Sequence, residues 1–253
     1  MKKIISIILA IIICIILAGC SKSNPATDFR YKASEESVTI MEYIGNSKTV
    51  VIPEKIEGKP VKVISICRSE DIESVTIPST VTIIYTGAFA GSTSLKEINF
   101  GDSVEFIDSR AFYGCTALTE VKLPENLKEI GASAFEGCSS LKKVFLPKSL
   151  EKMNMQVFCQ CPVEEVELEE GIKKFGSYAS FWGANMKELT IPSSVEQIGE
   201  FTFHDNLEKV VFEGDAPKTG KQPFGTKATI YYKKGSKGWE ETELKEKYKL
   251  VAY

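Results

Sequence analysis

Between Ala111 and Pro147 the chain reads AFYGCTALTEVKLPENLKEIGASAFEGCSSLKKVFLP, and it nearly repeats itself after 23 positions. Phe112 returns as Phe135, Cys115 as Cys138, Leu118 as Leu141 and Pro124 as Pro147. Units of the form V-x-x-I-G-x-x-A-F begin at Val81, Val104, Leu127, Leu150, Ile172 and Val195. Five of them place a phenylalanine eight positions on, at Phe89, Phe112, Phe135, Phe158 and Phe203, while the fifth unit is slipped by one and offers Phe181. Each ends in an L-x-x-I-x-L segment such as Leu118-Val121-Leu123 or Leu141-Val144-Leu146, and Val50 to Pro53 and Ile72 to Pro78 carry that ending without a complete unit.

One such unit cannot bury its own apolar edge, so units must stack and share a continuous core. The period and the L-x-x-L-x-L spacing predict a β-rich, right-handed leucine-rich-repeat solenoid of about eight turns, with a parallel sheet and short helical or 3-10 turns elsewhere. At the usual strand spacing the stack would be roughly 35 to 40 Å long. The proline after each strand cannot donate to the ladder and helps end it there. Both ends need covers, since an open end exposes core and strand edge. These are expected at 28–60, which includes a first strand, and at 213–253, with the solenoid at 61–212. Trp239, Leu244 and Tyr248 have the spacing of one face of a short helix that closes the last turn.

Two stretches, IPSTVTIIYTGAFAGSTSLKEINF and LPENLKEIGASAFEGCSSLKKVFLP, resemble the BspA-like bacterial leucine-rich repeats over about residues 50 to 212. The resemblance implies a bacterial surface protein concerned with attachment to host or microbial surfaces. Several units depart from the pattern: SICRSE at 65–70 lacks the Ala-Phe step, the fourth unit has Val157-Phe158 and Gln160 before Cys161, and the fifth has Phe181-Trp182-Gly183.

The first residues do not belong to the repeat. Met1-Lys2-Lys3 is followed by an apolar run from Ile4 to Leu17, interrupted only by Ser6, which is short for a membrane span and suits a secretory signal. Leu17-Ala18-Gly19-Cys20 resembles the lipobox of bacterial lipoproteins. That resemblance implies a signal peptide at 1–19, diacylglyceryl attachment at the Cys20 thiol and a flexible linker at 20–27. It places the protein outside the cytoplasm, held to the cell membrane by its acyl chains. Removing Lys2 and Lys3 from the chain's 31 basic residues leaves 29 against 34 acidic ones, a net of −5. No basic stripe is present, so nucleic acid is not an expected partner.

Candidates for chemistry are few. His204 follows Phe203 with no nucleophile marked beside it, so a solvent-facing loop is expected. Cys115, Cys138 and Cys161 recur at the repeat interval and should form one column of small buried side chains. Whether any of these pairs with another, or with Cys67 or Cys159, is left open by the sequence. Five glutamates between Glu164 and Glu170 alternate with Val166 and Leu168, as on a half-buried strand, and no metal, cofactor or catalytic residue is assigned.

What remains is the outer face of the strands. The residues between the buried positions form two columns. One begins at Ser74 and continues through Glu97, Glu120, Lys143, Glu165, Glu188 and Lys209. The other begins at Thr76 and continues through Asn99, Lys122, Phe145, Glu167, Thr190 and Val211. Glu120, Lys143 and Glu165 should alternate in sign across neighbouring strands. Phe145 and Val211 break the polar rule and are expected to be exposed. The expected function is a monomeric, lipid-anchored, non-catalytic surface protein whose strand face binds extracellular protein or glycan ligands. The alternative is an envelope-structural or glycan-capturing lipoprotein.

Overall fold

A computed structural model describes residues 22–67, 70–177, 180–203 and 206–253. Each repeat makes one turn of a coil, with a short strand on two of its sides. The front ladder holds Thr49–Val51, Ser74–Thr76 and Glu97–Asn99, then Glu120–Lys122, Lys143–Leu146 and Glu165–Leu168, then Glu188–Ile191, Lys209–Phe212, Thr229–Tyr232 and Lys249–Ala252. Its paired strands are parallel. The second ladder carries the two-residue strands Ile83–Ile84, Phe106–Ile107, Glu129–Ile130 and Lys152–Met153 in one parallel run. Lys174–Phe175, Gln197–Ile198 and Lys218–Thr219 form another. Among the described residues ten front strands bound nine turns rather than about eight, because the register continues into the region expected to be only a cover.

The third side of each turn is a tight bend that buries the Ala-Phe step. Phe89, Phe112, Phe135, Phe158, Phe181, Phe203 and Phe224 are fully buried and stack face on face. Successive centroids lie 5.0 to 6.0 Å apart, close to the separation of adjacent strands. The slipped fifth unit still delivers Phe181 to this column, 5.2 Å from Phe158. Phe224, from the expected terminal cover, extends it by one. The bends need a left-handed residue, supplied by Gly91, Gly114, Gly137 and Gly183; Gln160 takes the same conformation at φ 58° where the fourth unit lacks its glycine. The short helical turns expected within the repeats are therefore replaced by bends. The 3-10 segments among the described residues are Ala26–Asp28 and Glu243–Glu246, outside the repeats.

Cys115, Cys138 and Cys161 occupy one buried column, and each points its thiol at the carbonyl of a phenylalanine in the preceding turn. Sγ to O distances are 3.4 Å to Phe89, 3.3 Å to Phe112 and 3.0 Å to Phe135. A small side chain with a weak donor is what this corner accommodates. Cys67, Cys115, Cys138, Cys159 and Cys161 are all buried and free.

The ends are closed by different means. At the start, Phe29–Ala33 and Val38–Tyr43 form an antiparallel hairpin whose second strand pairs in parallel with Lys59–Ile64, the first strand of the second ladder's run. Residues 24–27, expected within a flexible linker, are held in place. The Asn24 amide donates to the Val51 carbonyl, the Val51 amide donates to Asn24 Oδ1, and Asn24 Nδ2 donates to Asp28 Oδ2, all within 2.9 Å. Asn24 thus covers the outer edge of the first front strand. At the other end Trp239 stacks on Tyr232 with centroids 4.7 Å apart and donates from Nε1 to the Gly214 carbonyl. Tyr248 donates to the Phe224 carbonyl at 2.7 Å. These two and Leu244 are buried against the last turns as expected, although only Leu244 lies in the 3-10 segment.

Burial governs the thiols chemically as well. It pushes Cys67 up to about 12, and in the repeat column Cys138 is raised by its hydrogen bond with Cys115, with burial adding to the rise. Since the thiolate is the reactive form, these groups should be inert in the folded chain. A disulfide reagent such as Ellman's should modify essentially none of the five thiols natively at pH 8 and all five after denaturation; rapid native labelling of two or more would contradict the closed column.

Candidate functional site

The front strands are too short to do more than set direction, and alternation does the rest. Val75, Val121, Val144, Leu189 and Val210 turn inward and are buried, so their neighbours turn out. Glu97, Asn99, Glu120, Lys122, Glu165, Glu167, Glu188 and Thr190 are exposed on this face, whereas Lys143, Phe145, Lys209 and Val211 are half-buried. Register places Glu120 opposite Lys143 and Lys143 opposite Glu165. The Lys143 ammonium goes to the acidic side that follows it, 3.1 Å from Glu165 and 2.8 Å from Glu167, which raises its pKa. Glu188 and Lys209 form the next pair at 2.9 Å.

The exposed anchors expected at Phe145 and Val211 are corrected by the same packing. Lys143 Nζ lies over the Phe145 ring, 4.7 Å from its centroid, so a cation and its methylene stem shield the aromatic face. Val211 stands between Thr190 and Tyr231 in register. The last two front strands prolong the outward columns with Thr229 and Lys249 in one and Tyr231 and Val251 in the other.

The front ladder is not continuous. Hydrogen-bonded pairing stops after Glu97–Asn99 and again after Glu165–Leu168. The inward residues beside these seams are only half-buried: Ile98 and Phe100 at the first, Val166 and Leu168 at the second. At the first seam Phe100 leans edge-on against Phe112 of the next turn, with centroids 5.8 Å apart, and its bulk occupies the place of Leu123 and Leu146 in later units. The second seam follows the irregular fourth unit, where the second ladder is also interrupted, between Lys152–Met153 and Lys174–Phe175.

The second seam opens into a groove of about 550 Å³. Its floor includes Val166, Leu168 and Leu189, and its rim is Glu164, Glu165, Glu167, Glu170, Glu188 and Glu213. Parts of the rim are tied to lysines or to backbone: Lys142 lies 3.0 Å from Glu164, and Glu170 accepts from the Ser193 amide and hydroxyl. The acid run at 164–170 is therefore the wall of an amphipathic trough, a role that simple strand alternation does not reveal. Among the described residues no cluster of His, Cys, Asp or Glu is arranged to hold a metal ion. Cys20 and His204 lie outside the described residues.

The model of the BspA type leucine rich repeat region matches residues 65–183 and 178–232, in 6 copies. No curated protein matches. Among solved structures, a leucine-rich-repeat protein of T. pallidum is 27% identical, with coverage of 81% of this chain and 86% of that one and a TM-score of 0.59. A leucine-rich cell surface protein of Faecalibacterium prausnitzii is 19% identical, with 83% and 76% covered and a TM-score of 0.58. A leucine-rich-repeat protein of Bacteroides ovatus is 20% identical, with 89% and 75% covered and a TM-score of 0.50.

Where the chain enters the first three front strands, a charge ladder flanks the face. Lys48, Glu73 and Lys96 sit on successive turns, with Glu73 Oε1 2.9 Å from Lys48 and Oε2 2.8 Å from Lys96. Hydrogen bonds from Lys96 and Lys48, reinforced by their charges, hold the carboxyl at about 2 against an ordinary 4.5. Because the folded value is the lower one, the stabilisation is present above about 4.5 and is lost as pH falls through about 2. Carbon-detected titration should place Glu73 well below the exposed glutamates, and Glu73→Gln should reduce the pH dependence of stability within that window. A midpoint near 4.5 would mean the bracket does not persist in solution.

Proposed function

Because the chain belongs to the BspA-type leucine-rich-repeat family, we propose that it is a non-catalytic cell-surface binding protein, held to the membrane through lipid on Cys20, whose front face engages extracellular macromolecules. The observation that carries this reading is the groove at the second seam. A rigid repeat core supports a trough with an apolar floor and a carboxylate rim on an otherwise polar face. Apolar area supplies affinity there and the fixed charges supply selection. The trough suits an extended polypeptide segment that carries lysine or arginine beside an apolar side chain. Phe145 under Lys143 on one flank, and Val211 with Tyr231 on the other, add partly covered apolar surface that a ligand can uncover or extend.

The anchor reading rests on Leu17-Ala18-Gly19-Cys20 and on the apolar run before it. Thioether lipidation with two or more acyl chains gives stable attachment where one chain does not.

Two measurements on one set of proteins test the proposal. The chain from Lys22 onward, which contains every described strand, is screened against matrix proteins and cell-wall fractions. Paired variants Glu167→Lys with Glu188→Lys, and Phe145→Ala with Lys143→Glu, are run beside it. A saturable protein ligand is expected, with at least one pair of changes weakening it by about tenfold or more. In cells the full chain should incorporate labelled fatty acid and Cys20→Ala should not. No ligand, or one indifferent to both pairs, removes the front face from the function; labelling that survives at Cys20→Ala removes the anchor.

A further inference from the structure

We propose that the second ladder carries a separate binding site for a neutral saccharide, built on Tyr85 and Phe106. The outward residues of that ladder run in register from Val63 through Ile83, Phe106, Glu129 and Lys152. The first three are apolar and the rest charged. Phe106 is 39% exposed, although nothing in the repeat requires a ring at a position that faces water. Two residues further along, most later units have glycine, at Gly131, Gly176, Gly199 and Gly220, and the unit that begins at Leu150 has Asn154. The reason is close approach: a Cβ on Gly131 would come within 2.3 Å of the Ser109 amide nitrogen. The unit that begins at Val81 places Tyr85 there instead, 44% exposed, and the next places Asp108. These two neighbouring turns, unlike the unit with Asn154, join that departure to an apolar outward residue two positions earlier, Ile83 and Phe106, and their buried residues keep the pattern.

These departures converge. Ile83, Tyr85, Phe106, Asp108, Glu129 and Gly131 line a depression of about 230 Å³. Its polar groups are already oriented. Asp108 Oδ2 accepts from Thr86 Oγ1 at 2.7 Å and Oδ1 from the Ser109 amide at 2.6 Å. Glu129 Oε1 accepts from Lys152 Nζ at 2.7 Å and from Asn154 Nδ2 at 2.9 Å, while its second oxygen takes part in neither bond.

A pyranose ring matches this chemistry. One of its faces is a set of C–H groups that lies against an aromatic ring, and its edge is a row of hydroxyls that donate to fixed carboxylates. Two acceptor carboxylates favour a neutral sugar over an anionic one. The site lies on a different ladder from the front groove and stands or falls independently of it.

The test uses the chain from Lys22 and three neutral probes: maltotetraose, cellotetraose and chitotetraose. Saturation-transfer NMR reports the sugar protons, and the ring resonances of Tyr85 and Phe106 report the protein. At least one probe is expected to saturate at millimolar concentration or below and to shift both rings. Tyr85→Ala and Phe106→Ala should each weaken it by about tenfold, while Phe145→Ala leaves it unchanged. Both side chains are exposed, so an unaltered thermal transition will show that the variants remain folded. The proposal is overturned if none of the probes binds at about 10 mM. It is equally overturned if binding persists in both variants, or if a protein ligand depends on Phe106 while the sugars stay silent.

Discussion

From Phe89 to Phe224 the coil is arranged around a column of stacked phenylalanines whose spacing matches the rise of one turn. Near-parallel, offset stacking of rings with centroids about 5 Å apart coincides with the separation of hydrogen-bonded strands. The two requirements reinforce each other. If the rings stack, the ladders can pair; where the ladders part, at the second seam, Phe158 and Phe181 still stack at 5.2 Å and keep the turns together. The cysteine column beside the rings follows from the same rise, with each thiol reaching a carbonyl of the preceding turn.

That dependence explains which parts of the architecture were legible in the sequence. Buried positions are dictated by stacking and so recur, which is why Phe135, Cys138, Leu141 and Val144 announce the coil and its strands. Phe224 was harder to place, since the unit around it lacks the preceding alanine and its strand, Thr229–Tyr232, has no leucine pattern. Asn24 could not be anticipated at all: it replaces a strand with one side chain and one amide, and that pairing is visible only in space.

The candidate surfaces show the limits more sharply. The outward columns of the front face follow from alternation, and Lys143, Glu165 and Glu167 lie where that rule puts them. The trough does not follow, because it arises from strands that fail to pair, and failure to pair has no residue code of its own. Val166 and Leu168 look like ordinary core residues in the sequence, yet the open seam leaves them half-buried. Phe106 and Tyr85 carried a readable signal. Aligning the units on their buried residues shows a ring where later units have Glu129 or Lys152, and a tyrosine where they have Gly131 or Gly176.

The interrupted ladder also bears on how the front face responds to load. Within a block of paired strands, two side chains on neighbouring turns are held apart by backbone hydrogen bonds, a stiff spacing. Across the second seam the ladder bonds are replaced by flanking ones, from the Ser193 amide and hydroxyl to Glu170 and from the Asn185 amide to the Val163 carbonyl, together with the packed rings and the remaining sides of the coil. The face is therefore three ladders on a common spine, and its curvature is fixed by fewer backbone bonds at the seams than within the ladders. A ligand that rests on a single ladder meets a rigid surface. One that straddles the Glu165–Leu168 and Glu188–Ile191 strands contacts two ladders at once and bridges, with its own bonds, the place where the ladder's are missing.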